Sequence, residues 1–556
     1  MRHWVVVFVA ACSSPPKGTT DPGGSRANRP FAPVSARVLD HLFHMQPSQA
    51  VSLGLHDYDG ELPDISPAGL DDKLRLLRAD RKELEATEPA TELEREERDT
   101  LILETRRMLF EDVELDAVHE NPMHYVGDIN LEAYVTREYA PAAQRGDAVT
   151  RLCKRVPAFL KQARANLKTP FPKPWLETAI LQTKGRIEFT DGDARKALPM
   201  AGAGLDVCKA ALAEHAAWLE QQLPSATQNY ALGKERFLKM LSDTQGFDTD
   251  LDTLVKLANA DLARNTKAIE EAAHAIDPKL PVATVVALVA TDRPEPKDVL
   301  DEATKQAAAM RQFLIDHKIV TVPGDEVAEV RESPPFERWN AASLDGPGPF
   351  ETTQMPSFYY ISPPDPTWTP DVQRDYIPPR ADLLFTTIHE VYPGHFIHST
   401  HLTRNPSRVL RSLWSYATGE GWAHYTEEMM WEAGAAGTLP QAHIGQLKEA
   451  LLRDVRFVVT LGEHTGNMTV DQAERWFETK AFLDKGNAHQ QAVRGTFDPM
   501  YLAYTLGKLA IRKLRDDWMA RHPGASLGEF HDAFLSHGAA PLPVIRRAMV
   551  GDAALL

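Results

Sequence analysis

Four of the chain's 20 histidines fall between positions 389 and 401, in a stretch that begins Thr387-Ile388-His389-Glu390-Val391-Tyr392-Pro393-Gly394-His395-Phe396-Ile397-His398. A histidine followed directly by a glutamate opens many zinc hydrolase sites. The neutral imidazole ligates the metal, and the carboxylate beside it takes a proton from the water that the metal acidifies. In the common form a second histidine comes four residues after the first, one helical turn on, so that both face the ion. Here that position is Pro393, which offers no ligand. The next histidine, His395, lies six residues on, about 120° around a regular helix from His389. For both imidazoles to meet one metal, two residues must be looped out. Pro393-Gly394 supplies the break, because proline removes a helix hydrogen bond and glycine accepts unusual dihedrals.

The third ligand is read in Ser415-Tyr416-Ala417-Thr418-Gly419-Glu420-Gly421-Trp422-Ala423-His424-Tyr425-Thr426-Glu427-Glu428, where Glu420 sits between two glycines that let backbone approach closely. One Zn2+ on His389, His395 and Glu420 leaves its fourth position open for water, as catalysis requires. Glu390 is then the general base. His398 and His401 read as wall or solvated helix positions, and His424 as an alternative ligand ranked below His395. Glu427, two turns on from Glu420, reads equally as a hydrogen-bond acceptor for a ligating imidazole and as a surface glutamate. Trp414, Trp422 and Tyr425 read as core.

The run His389 to His395, followed by Gly419 to Glu427, resembles domain-of-unknown-function family 885, bacterial proteins often anchored as lipoproteins and regarded as zinc metallopeptidases. The resemblance extends from about Ala36 to about Met549. Tyr504-Thr505-Leu506-Gly507-Lys508 resembles the family's late Tyr-x-x-Gly signature, and Arg494 its preceding arginine. The chain departs from the family at Phe396, where a second histidine is usual, at His398, often glutamine, and at His424, often leucine. The resemblance implies a zincin-like peptidase acting on a peptide or small amide. Zinc would polarise the scissile carbonyl, and Glu390 would take the water's proton and pass it to the leaving amine. Tyr504, with Arg494 or His489, would stabilise the oxyanion or hold a substrate carboxylate. Two other readings compete: a catalytically silent metal-binding envelope lipoprotein, and a hydrolase of a non-peptide amide or ester. The intact Glu390 speaks against the first, since metal storage needs no general base.

The elements that must position these residues are mostly helices. Leu152, Val156, Phe159, Leu160, Ala163 and Leu167 recur at spacings of three and four, as do Leu251, Leu254, Val255, Ala258 and Leu262. Between Lys318 and Tyr376 the texture changes. Ile319 to Val322, Val327 to Val330 and Phe358 to Ile361 are short, rich in β-branched and aromatic residues, and separated by Pro-Gly breaks. The expected fold is therefore mainly α, one large helical unit over residues 35–556 with a small inserted β-sheet beside the active-site cleft. A soft division separates a helical part, 35–317, from a metal-bearing part, 318–556. An edge of that sheet offers a place for an extended peptide to add as a strand.

Composition sets the outer limits. Hydrophobic residues make up 43% and charged residues 25% of 556, which excludes a disordered chain, a collagen-like fibre and a multi-span membrane protein. With 61 basic against 78 acidic residues the net charge is -17, and such a surface repels phosphate, so nucleic acid is excluded as a partner. Residues 1–11 read as a signal peptide: one early arginine, then an apolar run too short to span a bilayer. Val9-Ala10-Ala11-Cys12 resembles the lipobox of bacterial lipoproteins, with Cys12 as the lipid-bearing first residue of the mature chain. Residues 12–34 read as a flexible tether. The expected location is the bacterial envelope, lipid-anchored, and the lack of Asp after Cys12 points to the outer membrane facing the periplasm. Cys153 and Cys208 read as buried free thiols, although an oxidising compartment permits a bridge.

Overall fold

Apolar residues spaced by three and four set the helices, and the distances between those stripes set which helices meet. The computed structural model describes residues 30–334, 338, 341–552 and 554–555. The signal peptide, Cys12 and most of the tether lie outside the described residues. Helix α1 (Phe31–Met45) already begins within the stretch read as tether, because Phe31, Val34 and Val38 reach the core. Helix α2 (Ala142–Asn166) buries Leu152, Val156, Phe159, Leu160 and Ala163, and packs along α3 (Gly202–Glu220). Cys153 and Cys208 are free thiols buried in that same core. Helix α4 (Leu251–Ile276) is capped by the Asp250 side chain, which accepts from the Thr253 N–H. It turns Leu254, Ala258 and Leu262 inward and leaves Val255 exposed. Helix α5 (Val299–His317) ends where Lys318 takes a left-handed conformation.

The sheet has three strands, β1 (Ala328–Glu332), β2 (Ala342–Asp345) and β3 (Ser357–Ile361), in the order β1-β3-β2. Strand β3 lies in the centre, parallel to β1 and antiparallel to β2. Its Phe358 to Ile361 are all buried, as a strand covered on both faces requires. Two strand expectations are corrected. Ile319 to Val322 is no strand: Asp532 accepts hydrogen bonds from both the N–H and the hydroxyl of Thr321, and His531 Nδ1 takes the Ile319 carbonyl. With its backbone groups met by side chains, the segment has no need of a ladder. Strand β2 formed without a strong strand signal, on the edge that β3 presents.

Six helices of the C-terminal half bear on the histidine stretch: α6 (Arg380–Glu390), α7 (His395–Arg404), α8 (Tyr416–Glu432), α9 (Pro440–Thr465), α10 (Lys485–Phe497) and α11 (Ala503–Arg521). One core lies wholly between Val51 and Leu219, and another between Leu262 and Tyr504. Helix α4 lies along α9, and α5 against α6, so both pack with the half that carries the histidines. The sheet reaches the same place: the Tyr359 hydroxyl and Thr387 Oγ1 of α6 are 3.2 Å apart.

Helices α8 and α11 cross with their backbones in contact. A Cβ on Gly421 would stand 2.7 Å from Gly507 Cα, and one on Gly507 would stand 2.2 Å from the Ala417 carbonyl oxygen. Next to this crossing, fully buried Lys508 pairs with Asp261 of α4 at 2.6 Å and with Glu428 of α8 at 3.4 Å. The buried charges are thus paired with one another. Among the described residues, no helix is long and apolar enough to cross a membrane.

Candidate metal centre

Helix α6 sinks Leu383, Phe385 and Ile388 into the core and stops at Glu390. The chain then wraps tightly: the N–H groups of Val391 and Tyr392 both donate to the Thr387 carbonyl, and that of Gly394 to Ile388. The Tyr392–Pro393 peptide is cis. Trp422 of α8, fully buried, donates its indole N–H to the Pro393 carbonyl at 3.0 Å. Gly394 is needed for close approach, since a Cβ there would lie 1.7 Å from the His389 carbonyl oxygen. Helix α7 begins directly after it, at His395. The helix break that the proline and glycine suggested is present, and it turns the second imidazole back toward the first.

Helix α8 brings the carboxylate. Its N-terminus is capped by Ser415, whose side chain accepts from the Thr418 N–H. Glu420 Oε2 lies 3.5 Å from His389 Nε2 and 3.4 Å from His395 Nε2. One ligating atom from each of the three residues fits within 4.8 Å of the others. Glu420 Oε2 is sealed from solvent yet has no hydrogen-bond partner, an orphan oxygen facing two nitrogens. Burial works to raise the Glu420 carboxyl, but the neighbouring His395 and His389 hold it well below the usual carboxylate range. Two imidazoles and an ionised carboxylate form a donor set suited to zinc. The cluster could hold a metal ion.

The support behind it is complete on the His389 side. His389 Nδ1 meets Glu427 Oε1 at 2.7 Å, which leaves Nε2 for the cluster. Glu427 is fully buried and is itself held by His424 Nδ1 at 3.2 Å and Arg453 at 3.5 Å. It is therefore an interior acceptor and not a surface glutamate. His424 is turned to Glu427, His398 donates Nε2 to the Gly538 carbonyl and His401 to that of Thr321. None of these three joins the cluster. Glu390 ends α6 beside it; burial pushes its carboxyl up, and the nearby His395 and His389 oppose that.

The remaining residues divide. The Tyr504 ring lies nearly parallel to His389, with centroids 6.2 Å apart. Arg494 is one ring removed: it donates to Asp498 at 2.9 Å and to the Tyr416 hydroxyl at 3.0 Å, and Tyr416 packs edge-on against Tyr504. His489 is exposed and bound to Glu474, away from the cluster. Trp414, read as core, is 44% exposed, with its ring 6.3 Å from His395. Its ring covers Gly419, where a Cβ would strike it at 2.0 Å. Sequence reading passed over Arg453 and Arg456 of α9, both buried near Tyr504. Their signal was present: two arginines three apart in the run Leu451-Leu452-Arg453-Asp454-Val455-Arg456-Phe457-Val458-Val459.

Among solved structures, a protein from Shewanella oneidensis described as a candidate lipoprotein of unknown function is 24% identical, with a TM-score of 0.78. The match covers 94% of this chain and 100% of that one. A candidate lipoprotein from Colwellia psychrerythraea is 17% identical, with a TM-score of 0.79 over 93% of this chain and 98% of that one. At these identities the likeness shows the fold. No curated protein matches the chain. The chain belongs to the family described as bacterial protein of unknown function, DUF885, whose model matches residues 47–549.

Proposed function

We propose that this DUF885 protein is a lipid-anchored envelope protein that binds one zinc ion on His389, His395 and Glu420 and uses it to hydrolyse an amide, in the first place a peptide bond. The observation that carries the metal is the orphaned Glu420 oxygen between two imidazole nitrogens. Zinc bound there supplies a Lewis acid for a carbonyl and acidifies a water. Glu390, the residue after the first ligand, accepts the water's proton and returns it to the leaving amine. Glu427 fixes the His389 ring and its tautomer. Tyr504 walls the site beside His389, and Arg494 acts on it only through Tyr416. The anchor on Cys12 and the outer-membrane location rest on the N-terminal sequence and on the lipoprotein description of two structurally similar proteins.

A silent metal-binding lipoprotein is the second reading. The same cluster and the same similar proteins support it, and it asks nothing further of Glu390. The two part on one experiment: zinc content and cleavage of a mixed peptide library, measured for the purified protein and for Glu390→Gln, His389→Ala and Glu420→Ala. Hydrolysis predicts that Glu390→Gln keeps zinc and loses roughly 10²–10⁴ in rate, while the other two lose zinc. Zinc binding with no cleavage of any amide or ester by the unaltered protein leaves the silent reading. Loss of zinc in Glu390→Gln makes Glu390 a ligand.

A further inference from the structure

Two buried arginines among the described residues have no carboxylate partner: Arg145, which donates to the Ala140 and Tyr134 carbonyls, and Arg456. Arg456 is the one without such carbonyls. It projects from the middle of α9 and is 6% exposed. Its neighbours are paired: Arg453 reaches Glu427 and Glu449, and Arg494 reaches Asp498. Arg456 donates Nε to Gln491 Oε1 at 2.9 Å and, among the described residues, has no carboxylate partner. Its two terminal nitrogens have no hydrogen-bond partner there either, yet they are not sealed from solvent. A chain of net charge -17 had many carboxylates to place beside it. An unpaired guanidinium in the interior is costly, and it persists where something else supplies the negative charge.

The place of this cation says what would supply it. Arg456 Cζ lies 4.8 Å from the centre of the Tyr504 ring, and that ring is the one 6.2 Å from His389. Burial and the like charges of Arg494 and Arg453 all act to lower the Arg456 pKa, so a bound anion would relieve the repulsion as well as the desolvation. Two free nitrogens on a planar fork suit a carboxylate, which they can take side by side.

We infer that Arg456 seats a carboxylate of the substrate, so that the hydrolase proposed above cuts close to a negative end. An extended residue spans ~3.3–3.6 Å, so the spacings through Tyr504, which set an upper limit on the separation of Arg456 from His389, allow at most about three residues between the cut bond and the carboxylate. The leaving fragment is then a free amino acid or a short peptide with a free C-terminus. Water adds across the amide: a C–O bond forms, the C–N bond breaks, and the proton goes to the amine. The same seat would accept the side chain of Asp or Glu near the cut. This inference rests on the hydrolytic reading for its cut bond, but not for the seat itself.

The test uses binding as well as turnover. The zinc-loaded protein is titrated with acetyl-Ala-Ala, with its C-terminal amide, and with acetyl-Ala-Glu amide, whose one carboxylate is on the side chain. The same titrations are run on Arg456→Met and Arg456→Lys. We expect a carboxylate-bearing peptide to bind at least ~30-fold tighter than the neutral amide, as loss of one member of a desolvated charge pair would give. Arg456→Met should erase the difference, and Arg456→Lys should restore part of it. Tight binding of acetyl-Ala-Ala assigns the C-terminus, and of acetyl-Ala-Glu amide alone an acidic side chain; both support the seat. Equal binding of all three peptides, or binding of none, overturns it. Since Met removes an unpaired buried charge, Arg456→Met should melt no lower than the unaltered protein; a lower melting temperature with unchanged peptide preference makes Arg456 structural and also overturns the seat. Preferential binding without cleavage of these peptides supports the seat, and the hydrolytic reading then falls only if the wider amide and ester screen is also negative.

Discussion

Gly394→Ala is the smallest change that tests whether the backbone wrap sets the metal centre. The new Cβ would lie 1.7 Å from the His389 carbonyl oxygen, 2.4 Å from its carbon and 2.6 Å from the Ile388 oxygen. An ordinary contact begins near 3.4 Å, so the two strands of the wrap must part by about 1.7 Å, against a ligand tolerance of about 0.2 Å. No flexible side chain can absorb this, because all three atoms belong to the backbone that carries the first ligand. Second-layer changes that merely reorient a ligand cost ~10–100-fold in metal affinity. Displacing the backbone of His389 should reach at least the upper figure, about 2.8 kcal/mol of binding at 1.4 kcal/mol per decade. Overpacking adds about 1–3 kcal/mol of lost stability. Zinc affinity is read by competition with a chromophoric chelator, with circular dichroism as the check on folding. Gly185→Ala, where a Cβ meets nothing within 4 Å, is the control and should bind zinc unchanged. A folded Gly394→Ala protein that binds zinc within three-fold of the parent would refute the claim that this glycine holds the ligands in place.

Two further expectations follow from the surroundings. Glu427→Gln should keep the fold and lose roughly 10–100-fold in zinc affinity, because it removes the charge behind His389; an unchanged chelator competition curve would show that Glu427 serves packing alone. His56 lies between Asp59 at 3.1 Å and Glu351 at 3.0 Å and stacks on Tyr139. Burial pulls its pKa down, but hydrogen bonds to both carboxylates push it up to about 9. A folded pKa above the unfolded ~6.5 means that its contribution is complete below about pH 6.5 and is lost as pH rises through about 9. The melting-temperature gap between the parent and His56→Gln should therefore shrink from pH 6 to pH 10, and a constant gap would dismiss the ion pairs as a source of stability.

What could be read in the sequence was local. His389-Glu390 and His395 are close in the chain, and Pro393-Gly394 carries its own backbone signature, so the break between α6 and α7 was legible before any fold was known. Glu420 was legible because two glycines around a carboxylate are rare within a helix. The periodic stretches gave α2 and α4 because each buries its own stripe. What was misread depended on partners far along the chain. Ile319 to Val322 has strand composition, but Asp532 and His531, over 200 positions away, satisfy its backbone. Trp414 has the composition of core, and only the fold of α8 behind it leaves it at the surface. Arg453 and Arg456 look alike in sequence; which of them faces a carboxylate is settled by Glu427 and Glu449.

The bare contact of Gly421 with Gly507 fixes more than a crossing point. Glu420 precedes one glycine and Tyr504 lies within a turn of the other, so the proposed carboxylate ligand and a wall of the cluster are mounted on two rods fused at their closest point. Neither rod can slide or roll past the other, for there is no side-chain layer between them to shear. Any change of shape at the centre must therefore come from parts mounted elsewhere, such as Trp414, which lies ahead of α8 and is half open to solvent. Exchanging side chains around the centre should then retune its chemistry while its dimensions stay as the two backbones set them.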